Sequence, residues 1–246
     1  MSVSQAHQCA ELIEQASSIV VLTGAGISTN AGIPDFRGPQ GLYVTKKYDA
    51  EKIFDIAHFY SDPNPFYEFA HDFIGLEEKI RPTAAHQFLT TLEERGILSG
   101  IVTQNIDSLH QKAGSKKVFE MHGSFWQSGC IECGAPYSYE DLKERMRKDF
   151  VPRCTCGAVI KPDIVFFGEN VKYYEEAALL ARDSDLFMVI GSSCVVYPAA
   201  RIPTLAPEKI VLINKGKVHL DLYNIVMDVQ EDADEFLTQV LACLKW

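Results

Sequence analysis

Basic residues are scarce in this chain of 246 residues, which has 23 lysines and arginines against 33 aspartates and glutamates. The formal net charge of −10 leaves no basic stripe to follow a phosphate backbone, so we expect no intrinsic nucleic-acid binding. An acidic surface could attract lysine-containing partners, or it could simply keep the protein soluble.

Long apolar runs are lacking too. No run reaches the ~20 residues of a membrane-spanning helix, and the first 15 residues lack the basic and apolar regions of a secretory signal. We therefore expect no membrane association and a cytoplasmic location. With 47% hydrophobic residues, the chain can bury one sizeable core and a small additional module.

Residues 19–37 read IVVLTGAGISTNAGIPDFR and carry the first motif. The apolar run at 19–22 is typical of a strand buried on both faces of a parallel sheet. Gly24, Ala25 and Gly26 follow, and such a turn lets the backbone approach a bound anion closely. We expect residues 27–30 to open a helix whose first N–H groups favour phosphate. The stretch predicts a dinucleotide site.

The motif departs from the dehydrogenase fingerprint. Its third glycine position is Thr29, and no second apolar strand ends in an acidic residue about 20 positions later, which disfavours an ordinary dehydrogenase. The following loop carries Phe36 and Arg37 beside the predicted phosphate site. A glycine-punctuated surface loop is the alternative interpretation.

Apolar runs of strand length alternate with helical spacing along the chain. The further runs lie at 101–102, 118–121, 164–167, 186–190 and 210–213. Helical spacing of apolar residues occurs at 5–16, 83–95 and 233–244. This alternation predicts an α/β fold whose parallel sheet binds ligands at the carboxyl ends of its strands.

Two segments differ in composition from the rest. Residues between 43 and 81 are rich in aromatics and broken by Pro63 and Pro65, which predicts a short helical insertion. The second segment holds two cysteine pairs, Cys130 with Cys133 and Cys154 with Cys156. Four thiolates suit a closed tetrahedral zinc site of structural type, although the second pair is tighter than in most zinc ribbons. Redox-active or merely unpaired cysteines are the alternative.

Two strand ends carry further polar candidates. His122 follows a predicted strand, and a mostly neutral imidazole there could take a proton from a hydroxyl. The alternative is a satisfied core histidine, which we favour for His86 and His110. Asn105 could orient a carboxamide or a water, and Asp107 could stabilise developing positive charge. Either residue could equally be a loop or helix-cap residue.

Eight motifs stand in one order: GAGIS (24–28), GIPDFR (32–37), TQNID (103–107), HG (122–123), the cysteine pairs, IVFFGE (164–169), GSS (191–193) and Asn214. In this order the chain resembles the sirtuins, NAD-dependent protein lysine deacylases, over nearly its whole length. Its length resembles that of compact bacterial or archaeal members.

The resemblance implies a Rossmann-like parallel sheet with helices on both faces, and a small module of zinc ribbon and helical insertion. The NAD-binding domain would comprise residues 1–43, 76–123 and 161–246. The helical insertion (44–75) and the zinc module (124–160) would form the small domain. NAD and the acyl-lysine peptide would bind in the cleft between the domains.

The resemblance also implies site residues. NAD would contact Gly24, Ala25, Gly26, Thr29, Phe36, Arg37, Gln104, Asn105, Ile106, Asp107, Gly191, Ser192, Ser193, Asn214 and Asp232. Acyl-lysine would contact Val165, Phe166, Phe167, Gly168 and Val195. The target's backbone would add as a strand between the segment at 165–168 and residues 195–197, so sequence preference would be broad. His122 would be the general base, with Asn105 as the second catalytic residue.

The implied activity is deacetylation of protein lysines, giving nicotinamide, O-acetyl-ADP-ribose and free lysine. Sirtuins that prefer succinyl or malonyl groups carry a Tyr-x-x-Arg pair, whose positions here are Ala70 and Phe73. We therefore expect acetyl or other uncharged acyl groups. The alternatives are a mono-ADP-ribosyltransferase and a non-catalytic NAD or ADP-ribose sensor.

Overall fold

A computed structural model describes residues 4–33, 49–77 and 79–246. The chain divides into two compact units. The first comprises Met1–Asp35, Arg81–Met121 and Tyr173–Trp246, and the second comprises Phe36–Ile80 and His122–Lys172. Among the described residues, no helix combines the length and the apolar character needed to cross a membrane.

The described residues form nine strands, nine α-helices and three 3₁₀ helices. The strands are β1 (Ile19–Thr23), β2 (Leu98–Thr103), β3 (Val118–Glu120), β4 (Gly123–Cys130), β5 (Pro136–Ser138), β6 (Ile160–Ile164), β7 (Leu186–Ile190), β8 (Lys209–Ile213) and β9 (Ile225–Val229). The α-helices are α1 (Gln5–Gln15), α2 (Ala50–Ile53), α3 (Ile56–Ser61), α4 (Asn64–Glu77), α5 (Ala84–Glu94), α6 (Leu109–Ala113), α7 (Tyr139–Lys148), α8 (Tyr174–Arg182) and α9 (Ala233–Cys243). The 3₁₀ helices are Ala25–Ile27, Thr29–Ala31 and Ala199–Leu205.

The first unit contains a six-stranded sheet in the order β3-β2-β1-β7-β8-β9, and every neighbouring pair is parallel. With β7 to β9 as its fourth to sixth strands, this is the Rossmann order. The strand order reverses between β1 and β7, and ligands of such sheets bind at the carboxyl ends of the strands beside that point. The predicted α/β class is confirmed.

Helices cover both faces of this sheet. On one face, alternate residues such as Ile19 and Val21 of β1 pack against α1, α5 and α9. Helix α1 contributes Ala6, Cys9, Ala10 and Ile13, one stripe at helical spacing. On the other face, Leu180 of α8 lies against Gly100 of β2. All five residues of β1 are buried, as a strand covered on both faces requires.

The second unit contains the antiparallel sheet β5-β4-β6 and the helices α2, α3, α4 and α7. Aromatic rings form much of its core: Phe66 of α4 lies 4.9 Å from Phe166 and 5.5 Å from Phe59, measured between ring centroids. Phe66 also stacks on Phe125 of β4. The described aromatic residues of the helical insertion are therefore core residues of this unit, except for the exposed Tyr60.

The apolar run at 164–167 was wrongly predicted to be a strand of the parallel sheet. Strand β6 ends at Ile164 and pairs antiparallel with β4. The side chain of Phe166 is buried among the aromatic rings, which explains the apolar sequence without a parallel strand. Because β6 pairs with β4, residues 161–172 lie in the second unit, although the predicted boundary placed them in the NAD-binding domain.

Strand β4 offers a stability test of this pairing. Gly123 has a φ of +68°, and a Cβ there would lie 1.8 Å from the carbonyl oxygen of Asp163. Gly123→Ala should therefore cost at least ~3 kcal/mol of unfolding free energy, because strain and backbone overlap add. Urea unfolding followed by circular dichroism measures it. Gly129→Ala, in the same strand with nothing within 4 Å of its Cβ, should change stability by less than ~1 kcal/mol. Equal stability of the two variants would contradict this account.

Candidate functional site

The loops after β1 and β7 approach each other backbone to backbone. The N–H of Gly24 donates to the carbonyl oxygen of Ile190 (3.1 Å), and the N–H of Gly26 donates to that of Gly191 (2.8 Å). A Cβ on Gly26 would lie 2.7 Å from Cα of Gly191, and a Cβ on Gly191 would lie 2.3 Å from the nitrogen of Ile27. Only glycine permits this approach at the switch point of the sheet.

These hydrogen bonds change the interpretation of the glycine loop. The amide of Gly24 is bonded to the last residue of β7 and the amide of Gly26 to the residue after it, so neither amide is available to an anion. The N–H of Ala25 has no such bond within the described residues, so it is the amide of this turn that a phosphate could use. The prediction that residues 27–30 open one helix is wrong. Two short 3₁₀ helices occupy this stretch, and Gly32 at φ +92° ends the second.

A buried polar cluster lies beside the glycine loop. The side-chain nitrogen Nδ2 of Asn105 donates to the carbonyl oxygen of Gly24 and to Oγ of Ser28, both at 3.2 Å. Oγ of Ser28 donates to Oδ2 of Asp107 at 2.7 Å. Since the Gly24 oxygen can only accept, Asn105 presents its amino group inward, which leaves its Oδ1 for a ligand.

Asp107 has the predicted role at the start of a helix and also accepts a hydrogen bond within this cluster. Its Oδ1 accepts a hydrogen bond from the N–H of Leu109 (2.9 Å) at the start of α6, while its Oδ2 accepts from Ser28. The carboxylate is thus fixed at two points although it is almost fully buried. Its neighbour Ile106 is half-buried.

The loops after β7 and β8 bring further predicted residues to the same edge. Oγ of Ser192 donates to Oε1 of Gln104 (3.1 Å), which links the β7 and β2 ends. The carbonyl oxygen of Ser193 accepts from the N–H of His219. Nδ2 of Asn214 donates to the carbonyl oxygen of Gly216 (2.8 Å). Oγ1 of Thr29 donates to the carbonyl oxygen of Gly26 (3.1 Å), inside the glycine loop.

Asp232, predicted to lie at the adenine pocket, is the N-cap of α9. Its Oδ1 accepts from the N–H groups of Asp234 and Glu235, and its Oδ2 pairs with Nζ of Lys215 at 2.8 Å. Burial raises the pKa of Asp232, but Lys215, the N–H of Glu235 and the side chain of Asn30 together hold it below the ordinary value. Capping explains this residue in the described structure, and its contact with NAD stays a prediction.

His122 belongs to the second unit and is half-buried. Its carbonyl oxygen accepts from the N–H of Val165 (2.9 Å), so it lies beside the predicted acyl-lysine segment. Within that segment Phe167 is 48% exposed whereas Phe166 is 1% exposed, so Phe166 supports the segment from inside. Gly168 adopts φ +96°, and Val195 of the first unit is half-buried. Phe36 and Arg37 lie outside the described residues.

The four paired cysteines converge in the second unit. Their Sγ atoms all lie within 4.8 Å of one another, and the pairs Cys130 with Cys156 and Cys133 with Cys154 are each 3.5 Å apart. A tetrahedral zinc with Zn–S bonds of about 2.3 Å has sulfur–sulfur edges of about 3.8 Å. The four thiols therefore fit a structural zinc site, CxC pair included.

Two turns build this metal site. Each begins at the first cysteine of a pair and ends at a left-handed glycine, Gly134 after the first pair and Gly157 after the second. The N–H of Cys156 and the hydroxyl of Tyr137 lower the pKa of the Cys154 thiol to about 5, which favours the thiolate that binds zinc. Tyr137 donates to that sulfur at 3.1 Å.

Several polar residues at the carboxyl edge of the sheet were not among the predicted site residues. Ser28 joins Asn105 to Asp107, and Thr23 and Thr103 hydrogen-bond to each other at 2.8 Å at the ends of β1 and β2. A sequence signal did exist for the threonines, because each is a polar residue that ends a buried apolar strand. Ser28 ends the GAGIS motif, but serine is ordinary in a glycine-rich turn, so the motif alone assigned it no contact.

Fold and sites together define a class of protein. It is an α/β protein with a glycine loop and a buried polar cluster at a Rossmann switch point, and with a separate four-cysteine cluster that fits zinc. Comparison with known proteins gives the family. Residues 24–198 match the sequence profile of the Sir2 family. The chain belongs to the Sir2 family, which confirms the sirtuin resemblance.

Relatives match along almost the whole chain. The NAD-dependent protein deacetylase of Thermotoga maritima is 45% identical over 234 residues, which cover 91% of this chain and 93% of that protein. The enzyme of the same name from Saccharolobus solfataricus is 46% identical over 220 residues, 87% of each chain. A solved Sir2 with a p53 peptide and NAD⁺ is 40% identical with a TM-score of 0.88, covering 97% of this chain and 98% of that chain. A Sir2 bound to an acetylated peptide is 39% identical at the same coverage, with a TM-score of 0.87.

Zinc content tests the metal site. The purified chain should carry one zinc, and Cys156→Ser should lose it together with thermal stability, because three thiolates do not close a tetrahedral site. Elemental analysis and a thermal melt measure both effects. Cys243→Ser, at the end of α9, should keep the metal. A Cys156→Ser protein that retains one tightly bound zinc would show that this pair does not complete the site.

Proposed function

We propose that this protein is an NAD-dependent protein lysine deacetylase that yields nicotinamide, O-acetyl-ADP-ribose and the deacetylated lysine. The observation that carries the proposal is the buried cluster of Asn105, Ser28 and Asp107 at a Rossmann glycine loop, in a chain that is 45% identical to a deacetylase along most of its length. Of the solved relatives, one holds NAD⁺ with a peptide and another an acetylated peptide.

The residues at the carboxyl edge of the sheet fit a dinucleotide. The N–H of Ala25 would bind the pyrophosphate, with Phe36 and Arg37 as further predicted contacts. Oδ1 of Asn105 and the buried carboxylate of Asp107 would face the nicotinamide and its ribose, with Gln104 and Ile106 beside them. Gly24, Gly26 and Thr29 would line the glycine-loop side, and Gly191 would also contact NAD. The adenosine half would be held by Ser192, Ser193, Asn214 and Asp232.

NAD, when bound, supplies an ADP-ribosyl group that is transferred to the acyl oxygen as nicotinamide leaves. Breaking an N-glycosidic bond builds positive charge on the sugar, and the fixed carboxylate of Asp107 would stabilise that charge. His122 would accept the proton of a ribose hydroxyl. Its carbonyl bond to Val165 fixes the backbone from which the imidazole projects.

The substrate would be an acetyl-lysine peptide with broad sequence preference. Two backbone bonds hold the predicted acyl-lysine segment: the N–H of Phe167 donates to the carbonyl oxygen of Phe54 (2.7 Å), and the N–H of Ile56 donates to that of Phe167 (3.1 Å). A peptide that adds as a strand is recognised mainly by its backbone, so sequence selectivity would be weak. The exposed ring of Phe167 would contact the lysine stem.

Product identification with an acetyl-lysine peptide tests the activity. With NAD, mass spectrometry should detect O-acetyl-ADP-ribose, and without NAD the peptide should remain unchanged. His122→Ala should lower kcat by at least ~100-fold, as loss of a general base does. His7→Ala, in α1, serves as the control and should retain full activity.

Each alternative predicts a different result. ADP-ribose attached to a protein, with no O-acetyl-ADP-ribose, would indicate a mono-ADP-ribosyltransferase. A protein that binds NAD but does not turn over the peptide would be a sensor. Turnover unaffected by His122→Ala would refute the catalytic assignment.

Acyl selectivity tests the substrate class. Ala70 is fully buried, and Phe73 stacks on Phe125 at 5.1 Å, so neither position offers a cation to an acidic acyl group. Burying an unpaired carboxylate costs several kcal/mol, so kcat/KM for a succinyl-lysine peptide should be at least ~100-fold below that for the acetyl peptide. Competition between the two peptides in one reaction measures the ratio. Comparable rates would contradict the prediction.

A further inference from the structure

Two histidines of the first unit are buried close to the ends of β1 and β2, and the proposed chemistry gives neither of them a role. His86 of α5 is 0% exposed and His110 of α6 is 1% exposed, with ring centroids 4.7 Å apart. In the described part of the chain, Nε2 of His86 and Nδ1 of His110 are buried without a hydrogen-bond partner. Unpaired buried polar atoms are costly, so this arrangement requires an explanation.

The hydrogen bonds of His110 define its tautomer. Oγ1 of Thr23 donates its proton to Oγ1 of Thr103 at 2.8 Å. Thr23 can then only accept from Nε2 of His110, which lies 2.9 Å away. His110 therefore carries its proton on Nε2 and presents a lone pair on Nδ1.

His86 presents the complementary group. The buried N–H of Thr83, which can only donate, donates to Nδ1 of His86 (3.2 Å) in the capping box of α5. Oγ1 of Thr83 lies 2.9 Å from the same nitrogen and 3.1 Å from the carbonyl oxygen of Ile27. An accepting Nδ1 leaves the proton on Nε2. An unpaired donor on His86 thus accompanies an unpaired acceptor on His110, and one water molecule can join such a pair.

Both rings stay neutral, as this pattern requires. Burial lowers the pKa of His110 well below its ordinary value, and the neighbouring His86 lowers it further. Burial also lowers the pKa of His86, although Asp107 and Asp234 oppose the shift. A neutral His110 has one donor, and that donor points at Thr23.

The chain of hydrogen bonds continues to Asn105. Oγ1 of Thr103, which accepts from Thr23, also accepts the backbone N–H of Asn105 at 3.1 Å. The same Asn105 then directs its side chain to Gly24 and Ser28. The ring of His110 is therefore connected to Asn105, the proposed catalytic amide, through successive hydrogen bonds by way of Thr23 and Thr103.

We propose that His110 is a positioning residue, whose Nε2–H orders the hydroxyls of Thr23 and Thr103 and thereby fixes Asn105 for the reaction. This proposal rests on the proposed deacetylase function. His110 touches neither NAD nor peptide in it and acts only through the two threonines. Its removal should therefore affect the transition state more than the binding of NAD.

Two variants of similar shape isolate the donor. His110→Gln keeps an N–H donor three bonds from Cβ, as Nε2 of histidine is, whereas His110→Met keeps the length without a donor. His110→Met should lower kcat by about 10-fold with KM for NAD changed less than about 2-fold, and His110→Gln should recover kcat to within about 3-fold of the parent. Equal kcat for the two variants, whether low or unchanged, would overturn the proposal.

Further experiments keep the proposal testable if a variant misfolds or if the proposed function fails. If His110→Met does not fold, Thr23→Val and Thr23→Ser provide the same contrast. Thr23→Val, which lacks the hydroxyl, should lose kcat, and Thr23→Ser should keep it. Long-range ¹H–¹⁵N NMR of the histidine rings reports the tautomer without any turnover. We expect His110 protonated on Nε2, and protonation on Nδ1 would overturn the proposal. Absence of O-acetyl-ADP-ribose with the parent protein would refute the proposed function while the NMR result still stands.

Discussion

The backbones of the loops after β1 and β7 lie in contact, and the arrangement of the carboxyl edge depends on that approach. A hydrogen bond from the N–H of Gly26 to the carbonyl oxygen of Gly191 joins the two loops. Both positions must be glycine, because a Cβ at either one would overlap the other loop. This turn also places Ser28 within reach of Asn105 and Asp107. The glycines are therefore required first by the packing of the protein itself, and the site follows from that packing.

The hydrophobic sheet supplies the rigidity that this arrangement needs. Strand β1 is buried throughout and pairs with β2 and β7, so the positions of Thr23 and Thr103 at the strand ends are fixed by the core beneath them. Buried hydroxyls at such ends must find partners, and they find each other, His110 and the backbone of Asn105. Core packing and site geometry are in this way linked by a few hydrogen bonds.

Local patterns in the sequence predicted much of this structure. Apolar spacing located α1, α5 and α9, because one face of each helix packs on the sheet. Cysteine spacing predicted the metal site, because its ligands come from two short local turns. The run at 164–167 was misassigned, since buried apolar residues do not reveal which sheet or which aromatic core covers them. The packing role of Gly24 and Gly26 could not be predicted from the sequence, because their partner Gly191 lies far along the chain.

The carboxyl edge of the sheet shows a further limit of sequence reasoning. His110 was expected to be an ordinary core histidine, and only the direction of the Thr23 hydrogen bond distinguishes it from one. Tautomers and proton directions arise from several distant residues at once, so no local motif encodes them. The assignment of individual NAD contacts remains a prediction for the same reason, since it depends on a ligand's position among many groups.

Amide hydrogen exchange with and without NAD tests the central claim most directly, because it reports where the ligand changes the backbone. The account predicts slower exchange at 23–28, 103–107, 191–193 and 214, the segments that meet at the carboxyl edge of the sheet. If saturating NAD leaves the exchange rates of these segments unchanged and slows exchange elsewhere in the chain, the account is contradicted.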